Sequence, residues 1–161
     1  MEIIKQVFGI DISMDSFVCR SGIIKIDQQT EISSFKEFKN IIQGFRMFYK
    51  FAQSQQIDGV TQYFLMEATG VYYEALAYFL KSQGAHVIVV LPNKAKHFAK
   101  TLTIKSKTDP IDAHMLTQMG LEKRLSEWEP PSELMKELKL LTREHLSLKE
   151  LKTDAKNSIH A

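Results

Sequence analysis

Residues 63–91 read YFLMEATGVYYEALAYFLKSQGAHVIVVL, and this stretch decides the fold class. The segment 63–66 is a short apolar run typical of a buried strand, and the segment 86–91 is a second one that Pro92 ends. Between them the apolar residues recur at three- and four-residue steps, which predicts a helix that stops at Gly84. Strands that alternate with helices in this way are typical of a sheet with helices on its faces.

Upstream of this stretch, the sequence predicts short antiparallel strands. Residues 7–11 (VFGID) have the pattern of a buried strand that ends in a carboxylate. The segments 17–20 and 23–26 follow it, and Ser21-Gly22 is the predicted turn between them. The chain therefore begins with three predicted strands joined by short connections.

A long amphipathic helix is predicted over residues 35–52, where apolar side chains recur at three- and four-residue steps. Ser33 or Ser34 would be its N-cap. Two further helices are predicted over 93–102 and 109–120. Three strands followed by alternating helices and strands predict an α/β fold with a mixed five-stranded sheet and flanking helices, an order that the ribonuclease H-like fold has.

The composition excludes several classes of protein. Of the 161 residues 44% are apolar and 25% are charged, which is enough for a folded core, and a net charge of +2 excludes a polycationic tail protein. The single cysteine, Cys19, is expected to be a small buried hydrophobe. No apolar run approaches the roughly 20 residues of a membrane span, so we expect a cytoplasmic protein with no membrane partner.

The C-terminal part of the sequence differs in character. After Pro130-Pro131 the chain contains no glycine or proline, and four leucines follow at heptad-like spacing: Leu134, Leu138, Leu141 and Leu148. We therefore predict one domain over residues 1–129 and a coiled-coil-like helical segment over 130–161. Its apolar face would pair with a second copy of the chain, giving a homo-oligomer, or fold back on its own domain. No stop signal precedes the last residue, so we expect the chain to be cut within a helix.

Four carboxylates form the candidate site. Asp11 and Glu67 each end a predicted strand, and in neighbouring strands both would open at the same edge of the sheet. Asp109 and Asp112 are three residues apart, so they share a face of a helix. Convergent carboxylates repel one another, and a divalent cation removes that repulsion. Hard oxygen ligands without a Cys or His cluster favour Mg²⁺ or Mn²⁺ over zinc.

Each of these acids also has a purely structural interpretation. Asp11 fits a turn cap, and Glu67 fits the surface end of a strand. The run from Asp109 to Asp112 has the pattern of an ordinary helix start, with Asp at the N-cap and Pro at the first helical position. The four together favour a metal site.

A lysine-rich segment precedes the aspartate pair. No acid lies between Leu91 and Thr108, and the segment contains five lysines: Lys94, Lys96, Lys100, Lys105 and Lys107. Lysines beside a cation site suit a polyanion whose phosphates must approach the metal, so we predict a nucleic-acid contact here. The alternative is a solvated helix face.

Three stretches together resemble a known family. GIDIS (residues 9–13), MEATGVYYEALAYFLKSQGAHVIVVLPNKAKHFAK (66–100) and KTDPIDAHML (107–116) resemble the N-terminal domain of the DEDD transposases. These are insertion-sequence transposases of the IS-one-ten family, related to Piv-type DNA invertases. The match covers residues 7–120, and the leucine-rich tail resembles the helical region that follows in the family.

The resemblance implies a RuvC-type ribonuclease H-like fold whose catalytic and metal-binding positions, for one or two Mg²⁺ or Mn²⁺ ions, are Asp11, Glu67, Asp109 and Asp112. It also implies DNA as substrate, a structured RNA as a further partner, and a bacterial cytoplasmic protein that associates with the nucleoid on DNA. Family members carry a second domain with a serine thought to attack DNA. Nothing in this chain matches that domain, so we expect the chain to be the N-terminal part of a longer transposase.

Three functions are compatible with these features. The first is the metal-binding, nuclease-like domain of a transposase, which acts in DNA strand cleavage and transfer. The second is a non-catalytic module that binds RNA or branched DNA, with the acids holding only a structural ion. The third is an acetate- or sugar-kinase-like phosphotransferase, suggested by the GIDIS strand and disfavoured because a glycine-rich second phosphate loop is missing.

Overall fold

The structure is a computed structural model that describes residues 2–102 and 108–160. The chain divides into two units, Met1–Trp128 and Glu129–Ala161. In the described part of the first unit, six strands form one sheet, namely β1 (Ile3–Ile12), β2 (Ser16–Lys25), β3 (Thr30–Ile32), β4 (Lys36–Lys39), β5 (Gln62–Glu67) and β6 (His86–Val90).

The strand order β3-β2-β1-β5-β6 has an antiparallel half and a parallel half. Strands β1, β2 and β3 are antiparallel neighbours, whereas β1, β5 and β6 run parallel. This is the topology of the ribonuclease H-like fold and confirms the predicted fold class. The sheet has one strand more than the five predicted, because β4 also pairs with β2.

Over the described residues of the first unit, the helices are α1 (Ile42–Ser54), α2 (Glu74–Ser82), α3 (Pro92–Thr101) and α4 (Asp109–Glu122). Side chains alternate between the two faces of β1 and β5. Phe8 and Phe64 therefore enter a core with the buried residues of α1 and α2. Val7 and Leu65 enter a second core with those of α3 and α4.

The helix predicted over residues 35–52 is wrong in its first part. Residues Lys36–Lys39 form β4, and α1 begins only at Ile42, with Ile41 rather than a serine at its N-cap. Phe38 belongs to the sheet, where it pairs with Phe17 and stacks on its ring at a centroid distance of 5.7 Å. The apolar residues of β4 and α1 thus follow one another at helix-like spacing in the sequence, although only those of α1 are in a helix.

The turn predicted at Ser21-Gly22 is also wrong, because β2 runs without interruption from Ser16–Lys25. Chain reversal occurs earlier, where the Ser13 N–H donates to the Ser16 carbonyl at 2.9 Å. A Cβ on Gly22 would lie 2.6 Å from Cγ2 of Thr117. The glycine is therefore explained by close helix packing rather than by a turn.

The second unit contains one helix, α5 (Glu133–Ile159). The Ser132 hydroxyl caps it by accepting from the Met135 N–H at 3.2 Å. Seven leucines of α5 are more than half exposed, namely Leu134, Leu138, Leu140, Leu141, Leu146, Leu148 and Leu151. Within residues 2–102 and 108–160, no helix is both long and apolar enough to cross a membrane.

Candidate active site and nucleic-acid interface

The register of β1 and β5 brings the first two candidate acids together. Ile10 is aligned with Met66, so the next step of this parallel register aligns Asp11 with Glu67. Neighbouring strands are about 4.8 Å apart. Both residues therefore lie at the same edge of the sheet, which is the edge where β1 and β5 end. We call it the acid edge.

Both side chains also belong to the same face of the sheet. Ile10 and Met66 are buried in the core under α1 and α2, so the alternation of side chains assigns their successors to the opposite face. That face is the one covered by α4, whose residues pack beside Val7 and Leu65. Asp11 and Glu67 are both partly exposed there.

Close packing at glycines determines where α4 lies. A Cβ on Gly9 would lie 2.5 Å from the Ala113 carbonyl oxygen and would also strike the Thr117 backbone nitrogen. A Cβ on Gly120 would lie 2.6 Å from Cγ1 of Val7. Helix α4 therefore runs antiparallel to β1, with its C-terminal part beside Val7 and its first turn directed toward the acid edge.

Two basic side chains hold the ends of α4. Lys5 Nζ donates to the Gly120 carbonyl and, at 3.2 Å, to the Lys123 carbonyl, which places a cation at the negative end of the helix. Partial burial lowers the pKa of Lys5. Arg20 Nε donates to the Pro110 carbonyl at 3.0 Å in the first turn.

Arg20 also influences His114, a residue of α4. Burial is the larger of two causes that lower the pKa of His114, and the positive charge of Arg20 is the other. The Thr117 hydroxyl lies at 3.2 Å from the Arg20 carbonyl and donates to the Ala113 carbonyl at 2.7 Å. Strand β2 and helix α4 are thus joined beside Gly9.

The other two candidate acids lie on α4, whose N-cap is Thr108 rather than the predicted Asp109. Asp109 and Asp112 lie in the first turn of α4, and Asp112 directly precedes the residue that packs on Gly9. Glu67 Oε1 accepts a 2.8 Å hydrogen bond from the Thr69 hydroxyl. Among the described residues, no three His, Cys, Asp or Glu side chains are arranged so as to hold a metal ion.

The predicted lysines divide into two groups. Lys94, Lys96 and Lys100 are exposed on α3, whose buried side consists of Ala95 and Phe98. Lys105 and Lys107 lie outside the described residues.

Sequence reasoning missed the residues that position α4. Gly9, Arg20 and Lys5 carry no catalytic pattern, and only the glycine inside a strand was a usable signal, since such glycines mark a close approach of backbone. The contacts of Arg20 and Lys5 are with main-chain carbonyls about a hundred residues away in the sequence. Nothing in the local sequence predicts them.

The first unit thus contains a ribonuclease H-like sheet with Asp11 and Glu67 at one edge. The chain belongs to the DEDD transposase family, because a sequence model of that family, described as a transposase, matches residues 8–161. The family assignment confirms the resemblance found in the sequence.

Curated relatives and solved structures are also similar to this chain. The pilin gene-inverting proteins of Moraxella bovis and Moraxella lacunata are each 35% identical to it over 96 residues, which is 60% of this chain and 30% of each relative. The chain thus spans under a third of their length. Thermus thermophilus RuvC has 13% identity, with a TM-score of 0.46 over 80% of this chain and 86% of that one. The fowlpox virus Holliday junction resolvase has 12% identity and a TM-score of 0.46 over 70% and 92%.

Proposed function

We propose that the first unit is the metal-dependent DNA-cleaving domain of a transposase and acts in strand cleavage and transfer during insertion-sequence transposition. One observation carries the proposal. The parallel register pairs Ile10 with Met66, one residue before Asp11 and Glu67, and α4 packs on Gly9 through Ala113, the residue after Asp112. Acids from two strands and one helix would then meet at the acid edge.

The donor set fits Mg²⁺ or Mn²⁺. The candidate ligands, Asp11, Glu67, Asp109 and Asp112, provide only carboxylate oxygens, which are the donors that these hard cations prefer. When bound, one or two such ions would supply Lewis-acid activation at a phosphodiester.

The protein groups around the acids have separate tasks in this proposal. Asp11 is in β1, the strand between β2 and β5, and would be a ligand of the cation. The Thr69 hydroxyl donates to Glu67 Oε1 and so orients that carboxylate. Arg20 fixes the first turn of α4, and therefore the backbone positions of Asp109 and Asp112. Lys94, Lys96 and Lys100 would hold DNA phosphates nearby.

The finer features of the function are also proposals. DNA as the substrate, a structured RNA as a further partner and a nucleoid-associated location in the bacterial cytoplasm follow from family membership rather than from a contact in the structure. The alternative function is a non-catalytic module that binds RNA or branched DNA. The exposed lysines of α3, Lys94, Lys96 and Lys100, are the observation that favours it.

Metal binding tests the site directly. We expect Mn²⁺ to bind the chain in a calorimetric titration and Asp11→Asn to weaken binding by at least the roughly 10–100-fold that loss of an outer-shell partner costs. Asp58→Asn is the matched control, because Asp58 is exposed and precedes β5 at the strand end opposite Glu67. Equal affinities for the two variants would contradict the assignment of Asp11.

Pairing of α5 with a second copy of the chain is a separate part of the proposal. Leu134, Leu141 and Leu148 recur every seven residues, with Leu138 between the first two, so they form one stripe. Their exposed fractions lie between 54% and 73%. A helix with such an apolar stripe gains stability when a partner helix covers it.

Sedimentation of the full chain tests this pairing. We expect a dimer for the native chain and a monomer for the double variant Leu138→Gln/Leu141→Gln. Leu140→Gln/Leu146→Gln removes two leucines that lie off the heptad stripe and should leave the dimer intact. A monomeric native chain, or equal masses for the two variants, would rule out dimerisation through this stripe.

A further inference from the structure

A groove of about 600 Å³ lies between α3 and the segment that follows α4. Lys94 and His97 on α3 line one side, and Lys123 and Arg124 line the other. Phe98 contributes to its apolar part. We call this the basic groove. It contains three basic side chains from two separate parts of the sequence, and Lys123 and Arg124 were not among the predicted binding residues.

Among the described residues, no acidic side chain lines the basic groove and no salt bridge joins Lys94, Lys123 or Arg124 to an acid. Lys123 Nζ lies 5.7 Å from the centre of the Phe98 ring, so this ammonium group is held over the groove. All three cationic residues are exposed. An open groove with clustered cations and no acid attracts a polyanion.

We propose that the basic groove binds the phosphodiester backbone of a nucleic acid, through Lys94, Lys123 and Arg124. Lysine and arginine neutralise phosphates irrespective of sequence. The inference rests on the proposed function, in which DNA is the polyanion, and it adds a second contact region to that function. Lys123 and Arg124 follow the last residue of α4, whereas Asp109 and Asp112 lie in its first turn, so the groove adds residues beyond the acid edge to the contact.

A salt titration of binding tests the proposal. The affinity of the full chain for a fluorescent DNA duplex of about 30 base pairs is measured by anisotropy, with Lys123→Gln/Arg124→Gln compared with Arg46→Gln/Lys50→Gln. Both variants lose one arginine and one lysine, but Arg46 and Lys50 are exposed on α1, which packs on the other face of the sheet. The Lys5 contact is retained, because it uses the main-chain carbonyl of Lys123.

We expect the groove variant to bind the duplex more weakly. The slope of log K against log salt should become shallower by about 1.8, which corresponds to two fewer neutralised phosphates. When salt is raised from about 50 to 200 mM, the factor by which affinity falls should therefore be about twelvefold smaller for the groove variant than for the control. The same titration with an RNA duplex identifies the preferred backbone. A reduced slope with either duplex supports the proposal, and slopes equal to the control with both overturn it.

The outcome is separable from that of the cleavage site. Asp11→Asn removes a candidate metal ligand at the other end of α4 and is predicted to leave the salt slope unchanged in metal-free buffer. If the salt slope is reduced in the groove variant but Mn²⁺ does not bind the chain, the groove proposal is supported and the metal-site proposal is contradicted. If the groove variant has the same salt slope as its control while Asp11→Asn abolishes Mn²⁺ binding, only the groove proposal is contradicted.

Discussion

We expect Gly9→Ala to lower the free energy of unfolding by about 3 kcal/mol or more, the upper end of the cost of overpacking a core. The new Cβ would lie 2.5 Å from the Ala113 carbonyl oxygen and would strike the Thr117 backbone nitrogen. Both neighbours are main-chain atoms, so no side chain can rotate away and α4 must move off the sheet. That movement would open the core around Met115 and Leu116.

Urea denaturation measures the effect, with Gly59→Ala as the control. Gly59 has a positive φ of 74°, and no atom lies within 4 Å of the position that a Cβ would occupy, so its replacement costs only the backbone strain of about 1–2 kcal/mol. The difference between the variants therefore isolates helix packing. Equal free energies of unfolding would show that α4 is not held against Gly9.

The second large effect is expected on DNA cleavage. In a full-length transposase that carries this domain, Asp11→Asn should reduce metal-dependent cleavage of a branched DNA at least about 100-fold, a typical loss when a group that stabilises transition-state charge is removed. Asparagine keeps the shape of the side chain but lacks the charge that a cation needs. Glu67→Gln should have a comparable effect, because Glu67 is aligned with Asp11 in the register.

Asp58→Asn again provides the control, and binding of the same DNA is measured alongside cleavage. Loss of cleavage with retained binding is the expected result. Cleavage by Asp11→Asn at the rate of the control would refute the catalytic role, and in that case retained binding would support the alternative of a non-catalytic nucleic-acid module.

Much of the fold was predictable from the sequence because local patterns determine it. The apolar runs at 63–66 and 87–90 lie in strands with buried residues on both faces, and such strands are recognisable without knowledge of their partners. Pro110 likewise indicated the start of α4, because proline is suited to the first turn of a helix. The order of the strands also predicted that Asp11 and Glu67 end neighbouring strands at the same edge of the sheet.

The remaining features depend on contacts between distant parts of the chain. Phe38 has the spacing of a helix residue, but its pairing with Phe17 places it in β4. Gly22 has the pattern of a turn, but it allows the close approach of Thr117. The basic groove joins Lys94 to Lys123 and Arg124, which are about thirty residues away, and no linear motif connects them. The positions of Phe38, of Gly22 and of the groove residues therefore all depend on tertiary packing.

The burial of Cys19 provides the protein with a chemical reporter of its own unfolding. Its side chain is 1% exposed, and burial raises the pKa of the thiol to about 12, so the reactive thiolate is scarce in the folded state. Because the sequence contains no other cysteine, an alkylating reagent modifies the folded chain only when β2 separates from its neighbours. A cysteine introduced at an exposed position can therefore carry a spin label or fluorophore selectively, without replacement of Cys19.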